Sequence, residues 1–213
     1  SSEHINKEIA LDKIPNLLAK ELNSGVIYYD GQFDDSRLSI TLAQSIKDNG
    51  GLAINYMRVD SLIKNMSGMV KGVRVTDMET GEIHKIKSRV VINATGVFVD
   101  EIIQMDDPVA PNTIVASQGV HLVVDKKFLG SSTALMIPKT ADGRVLFAVP
   151  WHNKVILGTT DTPVNKTCLE PKALDDEVEF ILNTCSQYLE LSPTKDDVLS
   201  VFAGLRPLAA PEK

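Results

Sequence analysis

Three short stretches carry residue types that could do chemistry. In Gln118-Gly119-Val120-His121-Leu122-Val123-Val124-Asp125 the pattern is that of a strand, with Val120, Leu122 and Val124 on one face and Gly119, His121 and Val123 on the other. The missing side chain at Gly119 leaves space next to the imidazole, and a histidine beside open space on a sheet can take a proton from a bound hydroxyl. A packed, hydrogen-bonded histidine answers the same pattern. In Phe202-Ala203-Gly204-Leu205-Arg206-Pro207 the device repeats: Phe202, Gly204 and Arg206 share a face, Gly204 opens room, and Pro207 keeps Arg206 extended near a strand's end. A guanidinium is a planar fork that binds two oxygens of a phosphate or carboxylate at once, although a surface salt bridge is the plainer use of it. The third stretch, Asn93-Ala94-Thr95-Gly96, follows the apolar run Val90-Val91-Ile92. It reads as a buried strand ending in a tight turn, either a plain turn or one approached closely by a bound group. Arg144 is either a further arginine of the same site or a solvated hairpin residue. Gly158-Thr159-Thr160-Asp161 reads as structural, with Asp161-Thr162-Pro163 a turn.

The elements that must position these residues fall into two textures. Residues 9–22 have helical character interrupted by Pro15. Val26 to Tyr29 reads as a strand. A helix capped by Asp34 or Asp35 follows, with Leu38, Leu42, Ala43 and Ile46 on one face and Gly50 as its stop. Leu52 to Tyr56 reads as a second strand, so the expectation is a βαβ unit with parallel strands. Three strands, 59–66, 70–77 and 82–87, turn at Gly68 and Gly81 as an antiparallel meander and lead to the strand 90–92. After the proline-bearing residues 106–112 come strands at 118–125, 133–138, 145–149 and 155–159. A hairpin through Asp142-Gly143 and a turn at Trp151-His152-Asn153 join them. A helix from Leu174 to about Leu189 with Val178, Ile181, Leu182 and Cys185 on one stripe, and a last strand over 196–208, complete an antiparallel sheet with a helix on it. The fold expected is α+β. Its organisation is a helical lead-in at 1–25, a partial nucleotide-type domain at 26–105 and an antiparallel-sheet domain at 106–213.

The bulk of the sequence narrows the function. It has 213 residues, a net charge of −6 and ordinary hydrophobic content, so no basic field invites nucleic acid. The four histidines and two cysteines are too dispersed for a metal site or a disulfide framework, and no metal is expected. No apolar run has the length of a membrane span, and the first residues lack a signal peptide's order. A dinucleotide fold opens on a glycine-rich turn whose amides hold a pyrophosphate, yet no two glycines here stand two residues apart and there is no P-loop.

Taken in order, the stretches 28–38, 90–96, 118–125, 143–151, 156–162 and 203–208 closely resemble the FAD-dependent glycerol-3-phosphate dehydrogenases and the related glycerophosphate oxidases. The resemblance runs from about Val26 to Leu208. It implies a glutathione-reductase-type FAD domain joined to an antiparallel-sheet substrate domain. It also implies oxidation of sn-glycerol 3-phosphate to dihydroxyacetone phosphate with hydride passing to FAD, and quinone or oxygen as the electron acceptor. His121 matches the family's active-site histidine and Arg206 its phosphate-binding arginine; Arg144 matches a family arginine on the substrate side without a firm role. Ala94, Thr95 and Gly96 match the loop that passes the cofactor, and Val59 sits where the family's backbone approaches the adenine. The family's glycine-rich FAD turn and its C-terminal segment have no counterpart in this sequence. The chain therefore resembles a middle piece, expected to retain no FAD and to be inactive alone. The resemblance also implies a cytosolic protein in peripheral contact with the inner face of the cell membrane.

Two other classes stay open on the residues alone. A related amine or amino-acid oxidase of the same fold would use the arginine for a carboxylate and have less need of the histidine. A non-catalytic binding module would show ligand affinity without flavin.

Overall fold

The computed structural model describes residues 2–138, 140 and 143–211. In chain order the elements are β1 (Glu3–Asn6), α1 (Lys7–Lys13), β2 (Ser24–Ile27), α2 (Asp35–Asp48), β3 (Met57–Lys64), β4 (Val70–Asp77), β5 (Ile83–Lys87), α3 (Val99–Asp106), β6 (Ile114–Asp125), β7 (Leu135–Ile137), β8 (Leu146–Trp151), β9 (Lys154–Gly158), β10 (Thr162–Pro163), α4 (Asp175–Tyr188) and β11 (Ser200–Ala209). The chain forms two units, one of residues 1–29 with 112–213 and one of residues 30–111. The class is α+β, and among the described residues every strand pairing is antiparallel.

The first unit is a sheet with β6 at its centre. β11 runs along one edge of β6, from Ser200 opposite Val123 to Ala209 opposite Ile114, and β9 followed by β10 lines the other edge. β8 and β7 continue outward from β9. The turn between β8 and β9 has His152 at φ 41° and Asn153 at φ 65°, the left-handed pair that a two-residue hairpin loop requires. One face of the sheet is apolar because alternate residues are: Val120, Leu122 and Val124 of β6, Leu146 and Ala148 of β8, and Val155 and Leu157 of β9 are all buried. α4 covers this face with Ile181, Leu182 and Cys185, the stripe its sequence predicts. Each such side chain removed from water contributes roughly 1.5–3 kcal/mol before the entropy of ordering is subtracted. Burial pushes the Cys185 thiol up to about 12, so it is an inert core residue.

The first 29 residues are not a separate lead-in. α1 stops at Lys13, two residues before Pro15, and β1 pairs with β2 around it. Ile14 joins the core of the first unit. The Asn16 side chain donates to the carbonyls of Phe128 (2.7 Å) and Leu191 (2.8 Å) and accepts from the Leu191 amide, tying this segment to the far end of the sheet. Local sequence showed the helix break at Pro15 and gave no sign of these distant partners.

The second unit holds the expected meander, β3-β4-β5, with Gly68 at φ 83° and Gly81 at φ 78° in its turns. α2 is capped by Asp34, whose side chain accepts from the Arg37 amide. The expected parallel βαβ unit is absent. β2 pairs antiparallel with β1, and 52–56 and 90–92 form no strand among the described residues. Leu38, Leu42 and Ile46 of α2, Leu52, Ile54, Val90 and Ile92 are exposed. An apolar run signals a strand locally, but a strand exists only where a neighbour takes its amides, and the described residues of this unit supply none there. The hairpin expected through Asp142 lies outside the described residues.

Candidate functional site

The face of the β6 sheet opposite α4 carries the polar chemistry. Antiparallel partners point the same way, so the register defines a row across five strands: Phe202, His121, Gly158, Phe147 and Met136. Two residues along, Gly204 stands opposite Gly119, and two further Arg206 stands opposite Ser117. His121 and Arg206 therefore project from one face, as the alternation within their strands requires once the register is known.

The glycines on this face act differently from the sequence expectation. A Cβ at Gly119 would lie 2.2 Å from Arg206 Nη2 and 2.6 Å from its Cζ, so the guanidinium occupies the space above the bare backbone of Gly119. A Cβ at Gly158 would lie 2.4 Å from His121 Cδ2, so the imidazole leans into the space above Gly158. Gly119 thus makes room for Arg206 and Gly158 for His121, while a Cβ at Gly204 would meet nothing within 4 Å. The expectation paired each of the two strands with its own glycine; the seats are in fact made by the neighbouring strand.

His121 is held on its other side by Phe202, whose ring stacks on it at 5.1 Å with an interplanar angle of 13°. Burial, and secondarily the positive charge of Arg206, lower its pKa from the ordinary 6.5. The imidazole is therefore neutral at neutral pH and able to accept a proton. Arg206 Nη1 donates to the Thr160 carbonyl at 3.0 Å, Nη2 donates to Thr159 Oγ1, and Asp161 Oδ1 lies 3.7 Å from Nη1. Ser117 donates to the same Asp161 oxygen. The arginine is half-exposed, anchored through its two terminal nitrogens and presented beside a neutral base.

Thr159 to Asp161 bridges β9 and β10, where the ladder on β6 is interrupted. Thr160 Oγ1 accepts from the Val120 amide at 2.9 Å and so fills the gap. These residues, read as structural from sequence, hold the arginine; a threonine pair between two strands gives no local sign of that. Arg144 is not brought to this face. Its guanidinium lies over the ring of Phe180 at 4.5 Å, on the helix that packs against the opposite side.

The remaining candidate residues belong to the second unit. Thr95 caps the short turn Gly96–Phe98, Gly96 has φ 58°, and a Cβ there would meet nothing within 4 Å. The Asn93 side chain accepts from Thr95 Oγ1 at 2.8 Å and donates to the Val99 carbonyl, fixing the turn ahead of α3. Val59 pairs with Val75 beside a bulge in β3. The turn leaves a bare backbone open to a bound group, which fits contact with part of a nucleotide cofactor. No glycine-rich turn for a pyrophosphate exists in the sequence. Among the described residues no three His, Cys, Asp or Glu side chains are placed to share a metal ion, and no helix is long and apolar enough to cross a membrane.

The comparisons with known proteins agree on a class. The family model described as FAD dependent oxidoreductase matches residues 1–213, and the chain belongs to this family. Its relatives are more particular. The chain is 42% identical over 211 residues to "Probable glycerol-3-phosphate dehydrogenase, mitochondrial" of Caenorhabditis elegans, covering 98% of this chain and 29% of the relative. It is 37% identical over 217 residues to the mitochondrial glycerol-3-phosphate dehydrogenase of Schizosaccharomyces pombe, covering 98% and 33%. Among solved structures, the glycerol-3-phosphate dehydrogenase from Bacillus halodurans complexed with FAD superposes with a TM-score of 0.88 at 33% identity, covering 99% of this chain and 44% of that one. The chain thus spans about a third of the length of the curated relatives it matches.

Proposed function

We propose that this chain supplies the substrate face of a flavin-dependent glycerol-3-phosphate dehydrogenase. The observation that carries the reading is the placement of a neutral imidazole and an anchored guanidinium on one face of one sheet. In this reading the first unit binds substrate and the second contributes part of the cofactor site, with Val59, Ala94, Thr95 and Gly96 along the cofactor. When bound, FAD would supply the acceptor for the hydride leaving C2 of sn-glycerol 3-phosphate. The chain's residues do the rest. Arg206 takes the phosphate through N–H groups that Thr159 and Thr160 leave free, and so fixes the C2 hydroxyl near His121. The unprotonated ring nitrogen of His121 takes the hydroxyl proton as C2 becomes the carbonyl of dihydroxyacetone phosphate. Phe202 keeps the imidazole in place. The arrangement gives Arg144 no part in this site.

The relatives are named dehydrogenases, not oxidases, which supports an acceptor other than oxygen, a quinone in this reading. Their names are mitochondrial, which supports a mitochondrial place for this protein over the cytosolic one. An amino-acid oxidase would also use an arginine. The seated, neutral His121 favours an alcohol, whose proton needs a base far more than an amine's does. The test compares glycerol 3-phosphate with glycerol in the full-length flavin-bearing enzyme. Arg206→Ala should raise KM for the phosphate ester and leave glycerol nearly untouched; equal losses on both substrates would remove the phosphate role.

A further inference from the structure

Glu177 is a carboxylate that the proposed chemistry does not use, yet it is only 4% exposed. It lies on the first turn of α4, and one of its bonds is an ordinary cap: Oε2 accepts from the Leu174 amide at 2.9 Å. The other three reach outside the helix. Oε2 also accepts from Gln118 Nε2 of β6 at 2.7 Å, and Oε1 accepts from Thr160 Oγ1 at 3.0 Å and from Thr162 Oγ1 at 2.7 Å. A capping role uses one oxygen and leaves the other in water. Here both are filled from the sheet. Burial alone would raise the pKa of this group, but the four hydrogen bonds together bring it below the ordinary value, so it stays ionised.

The partners show what the charge holds. Thr160 and Thr162 flank Asp161 in the bridge between β9 and β10, and the neighbouring Thr159 hydroxyl and the Thr160 carbonyl hold Arg206. The hydroxyl of Thr160 also receives the Val120 amide, next to Gly119 on which the guanidinium lies. We propose that Glu177 is the positioning residue for Arg206: from beneath the sheet its carboxylate fixes the Thr159–Thr162 bridge, and the bridge sets the guanidinium over Gly119, aimed at the substrate's phosphate. The proposal rests on Arg206 being the phosphate clamp. It adds that the clamp's geometry is set by a buried acid on the opposite face.

The test uses the full-length flavin-bearing enzyme and two variants. Glu177→Gln removes the charge and keeps one acceptor oxygen; its N–H groups face either the threonine hydroxyls, which must then accept instead of donate, or the Leu174 and Gln118 donors, where two bonds fail. Thr162→Val removes one bond near the rim of the sheet. Glu177→Gln should raise KM for glycerol 3-phosphate about tenfold, with kcat and the turnover of glycerol within about twofold of wild type. Thr162→Val should raise it about threefold. The Arg206 guanidinium NMR signals should exchange faster with solvent in both. Should KM and those signals stay unchanged while Glu177→Gln lowers Tm, Glu177 merely staples the helix and the proposal falls. It falls as well if glycerol turnover drops in parallel. Should Glu177→Gln fail to fold, Thr162→Val decides by the same criteria. Arg206→Ala run alongside separates the two levels: if it leaves phosphate discrimination intact, the clamp reading fails, and the guanidinium signals alone then report whether Glu177 positions Arg206.

Discussion

The guanidinium of Arg206 lies on Gly119, in the space a Cβ would occupy, with Nη2 2.2 Å from that point. The two residues are diagonal neighbours, Arg206 standing opposite Ser117 and Gly119 two residues along, so the smallest side chain in the protein and one of the largest share a single place.

Gly119→Ala should therefore separate folding from binding. The clash is with the end of a flexible side chain, which can swing off the sheet, and alanine suits a strand better than glycine by about 0.5–1 kcal/mol. The variant should keep its Tm and raise KM for glycerol 3-phosphate toward that of Arg206→Ala. The double variant should be no worse than Arg206→Ala alone, because the two act through one contact. Steady-state kinetics and thermal melts check it; additive losses would place Gly119 outside the clamp.

Gly158→Ala should behave differently. There the added carbon would lie 2.8 Å from the Val120 carbonyl oxygen as well as 2.4 Å from His121. Backbone cannot step aside, so the cost is to the fold, roughly 1–3 kcal/mol. A chemical denaturation midpoint measured against wild type gives this directly.

His121→Ala should lower kcat by about a hundredfold or more. In the intact site kcat/KM should fall on acidification through a pKa below 6.5, since burial and then Arg206 hold the imidazole neutral. Arg206→Ala removes one of those causes and should move the acid limb to higher pH. Stability follows the same sign. The depressed pKa contributes stability that is fully present above about pH 6.5 and is lost as pH falls through the folded-state value. NMR titration of the imidazole measures both shifts.

The 213-residue chain, purified alone, should be colourless. Pyrophosphate binding relies on glycine amides at a helix N-terminus, and the sequence has no such turn. A stoichiometric yellow preparation would show that the turn at Asn93 to Gly96 and its neighbours suffice.

The period of two makes β6, β8, β9 and β11 legible, while the shared face of His121 and Arg206 follows only from the register between β6 and β11. The helix stripe of Ile181, Leu182 and Cys185 was equally plain. What local pattern could not give was partnership. The apolar run 90–92 looks the same whether or not a strand lies beside it, and local pattern therefore suggests a parallel unit that the described residues do not form. β1 was missed because four mixed residues carry no alternation. The glycine seats were assigned to the wrong side chains because register across strands is not a local property. Glu177 was hidden among Asp175, Asp176 and Glu179, where one more acid reads as a favourable charge at a helix start. Arg144 reads locally as either a site arginine or a solvated hairpin residue; its partner, the Phe180 ring, is 36 residues away and leaves no local sign.

The first unit is made of two stretches of chain, with residues 30–111 inserted between them. During synthesis the ribosome therefore releases β1, α1 and β2 long before their core exists. It then delivers an entire second unit, next β6 with His121, and only near residue 206 the strand that brings the arginine. β6 waits with one edge open until β11 emerges, although its other edge can pair with β9 much earlier. The growing chain thus carries an exposed strand edge beside His121, and that interval is where a holding chaperone would meet it.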